Sequence, residues 1–185
     1  MELLVKDNLW RGTELRLESW IGYQSRHGPY GAIDQADDSD GRVSLIFAPE
    51  GRGLEALTPE ETSLISWFER NEPSISAAAK AAIIEWCSPE SFDRATRFDF
   101  DDDFPAIQND ADLRCNIGLH SINIHQLDVD GVPYVGYEFG CEWEDEHGLG
   151  VLMHGTRVVE VGFADTAILL WIAEADAEKM AMNRT

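Results

Sequence analysis

Basic residues are scarce in this sequence: 14 Lys and Arg stand against 35 Asp and Glu, a formal charge of −21 over 185 residues. Such a field repels phosphate backbones and anionic lipid, which argues against nucleic acid and membrane surfaces as partners. It would instead steer a basic protein toward the chain, beyond its plain effect of keeping the protein in solution. Cysteine is also sparse. Cys87, Cys115 and Cys141 form no C-x-x-C pair, and an odd count without a secretory framework points to a reducing compartment. Long apolar runs are missing, since the longest, Ala167 to Ala173, is far too short to span a bilayer. Met1-Glu-Leu-Leu-Val-Lys-Asp7 lacks the basic start and apolar core of a signal peptide, so a cytoplasmic location is expected. The chain has no P-loop, no G-x-G-x-x-G after a strand, no G-x-S-x-G elbow and no H-E-x-x-H. Nucleotide-phosphate binding and the familiar hydrolase templates thereby lose support, and no cofactor is expected.

Apolar residues, by contrast, are plentiful. They make up 44% of the chain, with six Trp, so a buried core and a single domain over 1–185 are expected. Trp10, Trp20, Trp67, Trp86, Trp143 and Trp171 read as core, although two left exposed near an acidic rim would mark a protein-binding anchor. Residues 1–50 read as a small antiparallel β unit. Leu15, Leu17, Ser19, Ile21 and Tyr23 alternate with Glu14, Arg16, Glu18 and Trp20, which predicts a strand over 13–23, and Val43 to Phe47 predicts another. Thr58-Pro59-Glu60-Glu61 predicts a helix start: Thr58 can cap the Glu61 amide, and Glu61 closes the capping box. Leu64, Ile65 and Phe68 form its apolar stripe, and Asn71-Glu-Pro73 reads as its end. Ile75, Ala79, Ala82, Ile83 and Trp86 then mark a second helix, so 57–88 is expected to be a helical hairpin. Residues 88–112 read as irregular and acidic around Phe98-Asp-Phe-Asp-Asp-Asp-Phe-Pro105.

The stretch 113–162 reads as two β hairpins. Asp130-Gly131 is a two-residue turn, because Gly tolerates the positive φ of a primed turn. Placing Val129 opposite Val132 sets Ile124 facing Tyr137, Ile122 facing Phe139 and His120 facing Cys141, with Asn123, His125, Glu138 and Glu142 on the other face. A second hairpin pairs Gly150–His154 with Arg157–Val161 across Gly155-Thr156. A final helix is expected over 165–182, capped by Asp165, with Ile168, Leu169, Trp171, Ile172 and Ala175 mostly inward. The expected class is α+β: an antiparallel sheet of five to seven strands, with the helical hairpin and the C-terminal helix packed on one face.

Chemistry concentrates in Cys141-Glu-Trp-Glu-Asp-Glu-His-Gly-Leu-Gly-Val-Leu-Met-His154. Cys141, His147 and His154, with His120 placed opposite Cys141, are metal-ligand types, yet no zinc spacing joins them and no metal is expected. A Cys141 turned inward beside Phe139 and Trp143 is more simply a small buried hydrophobe. Acid–base work would fall to Glu146, His147 and His154, since a His beside carboxylates can titrate near neutrality. A turn accounts for the same residues, with Gly148 and Gly150 supplying unusual backbone angles and His147 a local hydrogen bond. EF-hand calcium is excluded: with Asp128, Asp130 and Gly131 aligned on that loop, Gln126 falls first and Tyr137 last, so both anchor carboxylates are missing.

From Tyr134 to Gly162 the chain resembles an uncharacterised bacterial family whose C-terminal pattern is C-x-W-x-x-E-H-G-x-G-V-x-x-H-G. The matching residues are Cys141, Trp143, Glu146, His147, Gly148, Gly150, Val151, His154 and Gly155, and the match covers about the last third of the chain. In size and acidity the chain is also similar to immunity proteins of polymorphic toxin systems. That similarity implies a non-enzymatic protein that binds a basic partner. The expected contact zones are Asp37, Asp38 and Asp40; Asp101, Asp102 and Asp103; and Glu142, Glu144 and Asp145. The alternatives are a metal-dependent or acid–base hydrolase built on Glu146, His147 and His154, or a structural domain that buries an apolar patch against a second copy.

Overall fold

The structure, a computed structural model, describes residues 4–6, 10–26, 38–47, 55–88, 90–91 and 104–184. Its strands are β1 (Leu4–Lys6), β2 (Trp10–Arg16), β3 (Arg42–Phe47), β4 (Ile117–Val129), β5 (Val132–Cys141), β6 (Glu144–His154) and β7 (Arg157–Gly162). They form one sheet in chain order. Every neighbouring pair is antiparallel except β3 and β4, which run parallel with Ser44 beside Ser121 and Ile46 beside Asn123. A parallel pair needs a crossover, and helix α1 (Pro59–Trp86) with the short α2 (Asp110–Asn116) supplies it. The class is therefore α+β, with a mixed sheet rather than a purely antiparallel one.

The expected helical hairpin is a single helix. Thr58 and Glu61 form the capping box with Pro59 in the first turn, but the helix runs through Pro73 to Trp86. The buried positions explain this: Glu61, Leu64, Ile65, Phe68, Glu72, Ile75, Ser76, Ala79, Ala82, Ile83 and Trp86 keep an unbroken three-and-four spacing across the proline. Pro73 lies on the exposed side, so one continuous stripe can stay docked on the sheet despite the backbone hydrogen bond that proline removes.

Helix packing on one face is also corrected. Ile122, Ile124, Val135, Tyr137, Phe139, Leu149, Val151 and Met153 share the main core with the stripe of α1. Tyr134 and Leu152, of opposite parity on β5 and β6, form a second cluster with Ile172 and Ala173 of α3 (Leu170–Met182). Side chains alternate across a strand, so α1 and α3 lie on opposite faces. Asp165 does not cap α3. It lies in a short 3-10 turn, Ala164–Ala167, and α3 begins after Leu169 with no side-chain cap. Nor are all of its apolar residues inward, since Ile168 is 52% exposed and Trp171 60%.

The strand expected over 13–23 ends at Arg16. A 3-10 turn over Glu18–Trp20 follows, and it drives the Trp20 ring into the core against Tyr23, Tyr137 and Phe139. There the indole N–H donates to Ser76 Oγ at 2.9 Å. The β4–β5 register begins as expected at Val129 and Val132, then shifts at two irregularities. Ile124 faces Val135, Ile122 faces Tyr137, and Cys141 faces Ile117 rather than His120. The β6–β7 hairpin pairs as expected, with one irregularity between Leu152 and Met153. No helix of the described residues is long and apolar enough to cross a membrane.

Candidate functional site

The irregular register of β4 builds a site the linear pattern does not reveal. On the face opposite α1, helix α3 covers Tyr134 and Leu152 and leaves the β3–β4–β5 surface open. A cleft of ≈ 480 Å³ lies there. Its floor carries Ser44 of β3, His120, Ser121, Asn123 and His125 of β4, and Glu138 of β5; Ile46, Ile168 and Leu170 give it an apolar border. Strand alternation accounts for most of these, because Val43, Leu45 and Phe47 face the core and turn Ser44 and Ile46 outward. The shift between Leu119 and Ser121 does the rest: it lets the consecutive residues His120 and Ser121 both line the cleft.

The polar groups are tied together. Ser121 lies opposite Glu138 and its hydroxyl donates to Glu138 Oε2 at 2.7 Å, while Asn123 Nδ2 donates to Ser121 Oγ at 3.2 Å. His120 Nδ1 lies 3.1 Å from the Arg26 carbonyl, and His125 Nε2 lies 3.0 Å from the Ala167 carbonyl. A carbonyl only accepts, so each of these ring nitrogens donates. Burial pulls the His125 pKa below its ordinary value, against the opposing pull of the Ala167 carbonyl, so the ring stays neutral at physiological pH. No Lys or Arg lines the cleft among the described residues. The Ser121 hydroxyl is held by Glu138 rather than by either histidine.

The residues singled out from the sequence lie elsewhere. His147 and His154 sit near opposite ends of β6, about 20 Å apart at the rise of a strand. His147 is exposed, packs on Phe163 and shares Glu144 Oε1 with its own backbone N–H and that of Glu146. Glu144 thus closes a turn. Gly148 has φ 61° there, with the Phe139 carbonyl where a Cβ would point. His154 stacks on Tyr134 at 4.7 Å, and its Nε2 is buried without a hydrogen bond. Cys141 is buried in the core, which pushes its thiol up to about 12. Among the described residues, no group of three His, Cys, Asp or Glu could hold a metal ion.

The acidic contact zones divide. Asp37, Asp101, Asp102 and Asp103 lie outside the described residues, as does the side chain of Asp145. Asp38 and Asp40 are exposed, and Asp40 accepts the Arg42 amide N–H at 3.0 Å. Glu142 is engaged internally, its Oε1 taking 2.6 Å hydrogen bonds from both Arg26 Nη2 and Gln24 Nε2. Of the tryptophans whose side chains are described, Trp20 and Trp86 are buried, Trp67 and Trp143 pack on the core, and Trp171 alone is exposed. Ile168 and Leu170 at the cleft border precede it in the chain. Of the cleft residues, His120 enters the sequence reading only as a metal-ligand type opposite Cys141 and Glu138 only as part of a polar face, while Ser121 is passed over. All three are polar side chains on strands otherwise rich in Ile, Leu, Val and Tyr.

No curated protein and no solved structure matches the chain. A family model described as a domain of unknown function, DUF6985, matches residues 13–169, and the chain belongs to that family.

Proposed function

We propose that this protein is a non-enzymatic binding module for a basic protein, engaged on the open β3–β4–β5 face. One observation carries the reading: in a chain of net charge −21, the Glu138 carboxylate stands in a cleft that no described Lys or Arg lines. A carboxylate left without a cation in a partly desolvated cleft favours a positive group brought by a partner. The wider acidic surface, including Asp38 and Asp40, would speed the encounter by steering. The separation of His147 from His154 along β6 weighs against the hydrolase alternative built on Glu146, His147 and His154. In this reading the chain acts in a bacterial cytoplasm as an inhibitor of the immunity type.

The test is native mass spectrometry of the chain isolated intact from its cells, followed by association kinetics with the basic protein so identified. A one-to-one complex whose association rate falls steeply from low to physiological salt is expected. A chain that carries no partner, or a complex indifferent to salt, would sink the reading.

A further inference from the structure

We infer that the cleft seats one arginine side chain of the partner, with the Glu138 carboxylate as its counter-ion. This rests on the binding reading above and adds the chemistry of recognition. Internal hydrogen bonds use up most donors in the cleft. Ser121 gives its proton to Glu138, Asn123 gives one N–H to Ser121, and His120 and His125 give theirs to backbone carbonyls. In the neutral His125 ring the other nitrogen, Nδ1, is a lone-pair acceptor. Glu138 Oε1 and Asn123 Oδ1 are acceptors too. Among the described lining side chains, Ser44, Gln126 at the exposed rim and the second Asn123 N–H can still donate. A cleft so biased toward accepting fits a ligand that only donates.

Guanidinium is that ligand. It offers five N–H donors in a plane, accepts nothing, stays charged, and sheds water more readily than ammonium. A metal ion would also take acceptors, but no described trio of His, Cys, Asp or Glu is close enough to hold one. The apolar border of Ile46, Ile168 and Leu170 suits the methylene stem of arginine, which packs on apolar surface while its head makes polar contacts. Ile168 at that border and Trp171, next in the chain after Leu170, also expose large apolar surface, at 52% and 60%. A free guanidino metabolite would leave that surface uncovered, whereas residues flanking an arginine in a polypeptide would cover it.

The test is an NMR titration of the whole chain with N-acetyl-arginine amide and with its uncharged isostere N-acetyl-citrulline amide, read at the imidazole C–H signals. Saturable shifts at His120 and His125 but not at His147 or His154 are expected, with citrulline roughly tenfold weaker or worse. Glu138→Gln should abolish the arginine response with the ring signals otherwise in place. No saturable shift at His120 and His125, or equal binding of citrulline on the unmodified chain, would overturn the assignment. The two readings can fail separately. A basic partner that binds Glu138→Gln as tightly as the natural chain overturns the cleft assignment and keeps the binding module. Arginine amide seated in the cleft of a chain that has no basic partner does the reverse.

Discussion

The carbonyl oxygen of Ala167 lies directly over Gly136, only 1.8 Å from where a Cβ built on that glycine would stand. The same carbonyl accepts the hydrogen bond from His125 Nε2. Two strands therefore hold the 3-10 turn at one carbonyl oxygen: β5 by offering no side chain, β4 by offering a donor. The turn leads straight into Ile168 and Leu170, the apolar border of the cleft.

Replacing Gly136 with alanine should therefore act on the cleft and on stability together. Backbone rather than a flexible side chain stands in the way, so the turn must lift. The expected loss is about 1–3 kcal/mol, as for other overpacked interiors. Chemical denaturation measures the loss, and the His125 ring signals report the broken contact to Ala167. A variant as stable as the natural chain, with those signals in place, would show that the turn is not held this way.

Glu142, an expected contact for a basic partner, should behave as a structural residue. Its carboxylate is 41% exposed, but it neutralises Arg26, whose side chain is 3% exposed. Removing the charge takes one anionic partner away from a buried guanidinium. Fully buried pairs lose about 3–5 kcal/mol on such a change, and the solvent reaching Glu142 reduces this to roughly 1–3 kcal/mol. Glu142→Gln should lower the unfolding free energy by that amount and leave partner association nearly unchanged. An unaltered melt with a slower association rate would return Glu142 to the binding surface.

Local chemistry was legible in the sequence, and long-range assembly was not. Thr58 and Glu61 form the capping box their spacing predicts, and Asp130 and Gly131 take φ 57° and 75° in the turn assigned to them. Both features are settled within a few residues. Pro73 misled because a proline stops a helix by local rules, whereas a stripe running from Leu64 to Trp86 against a sheet outweighs one lost hydrogen bond. The register of β4 failed for a related reason. A turn fixes pairing only until the first bulge, and the shift between Ile124 and Asp128 comes within a few residues of Asp130. The cleft escaped notice because it draws on Ser44, His120, Glu138 and Ile168, which no sequence window contains. The dense motif from Cys141 to His154 drew attention instead, and much of it is spent on a turn and on packing. Glu144 closes the turn, Gly148 and Gly150 let carbonyls approach closely, and Cys141 fills the core.

His125 gives the fold a pH dependence of defined sign. Its ring is buried beside Ala167, with Asn123, Glu138 and His120 lining the same cleft. Desolvation depresses its pKa below the ordinary 6.5, and the Ala167 carbonyl only partly offsets this. The unfolded chain therefore takes up the proton first as pH falls, and the difference in bound protons favours unfolding. This contribution to stability is intact above 6.5 and is lost as pH drops through the lowered folded value. His125→Gln keeps a donor for Ala167 but cannot titrate, so it isolates the effect from the many carboxylates. The stability of the natural chain minus that of the variant should shrink as pH falls from about 7.5 to about 5, read as denaturant midpoints at each pH. A difference that stays level across that range would mean His125 carries its proton equally well folded and unfolded. Below that ordinary value the ring facing the cleft would then carry a charge, and the complement of the cleft to a cation would weaken with it.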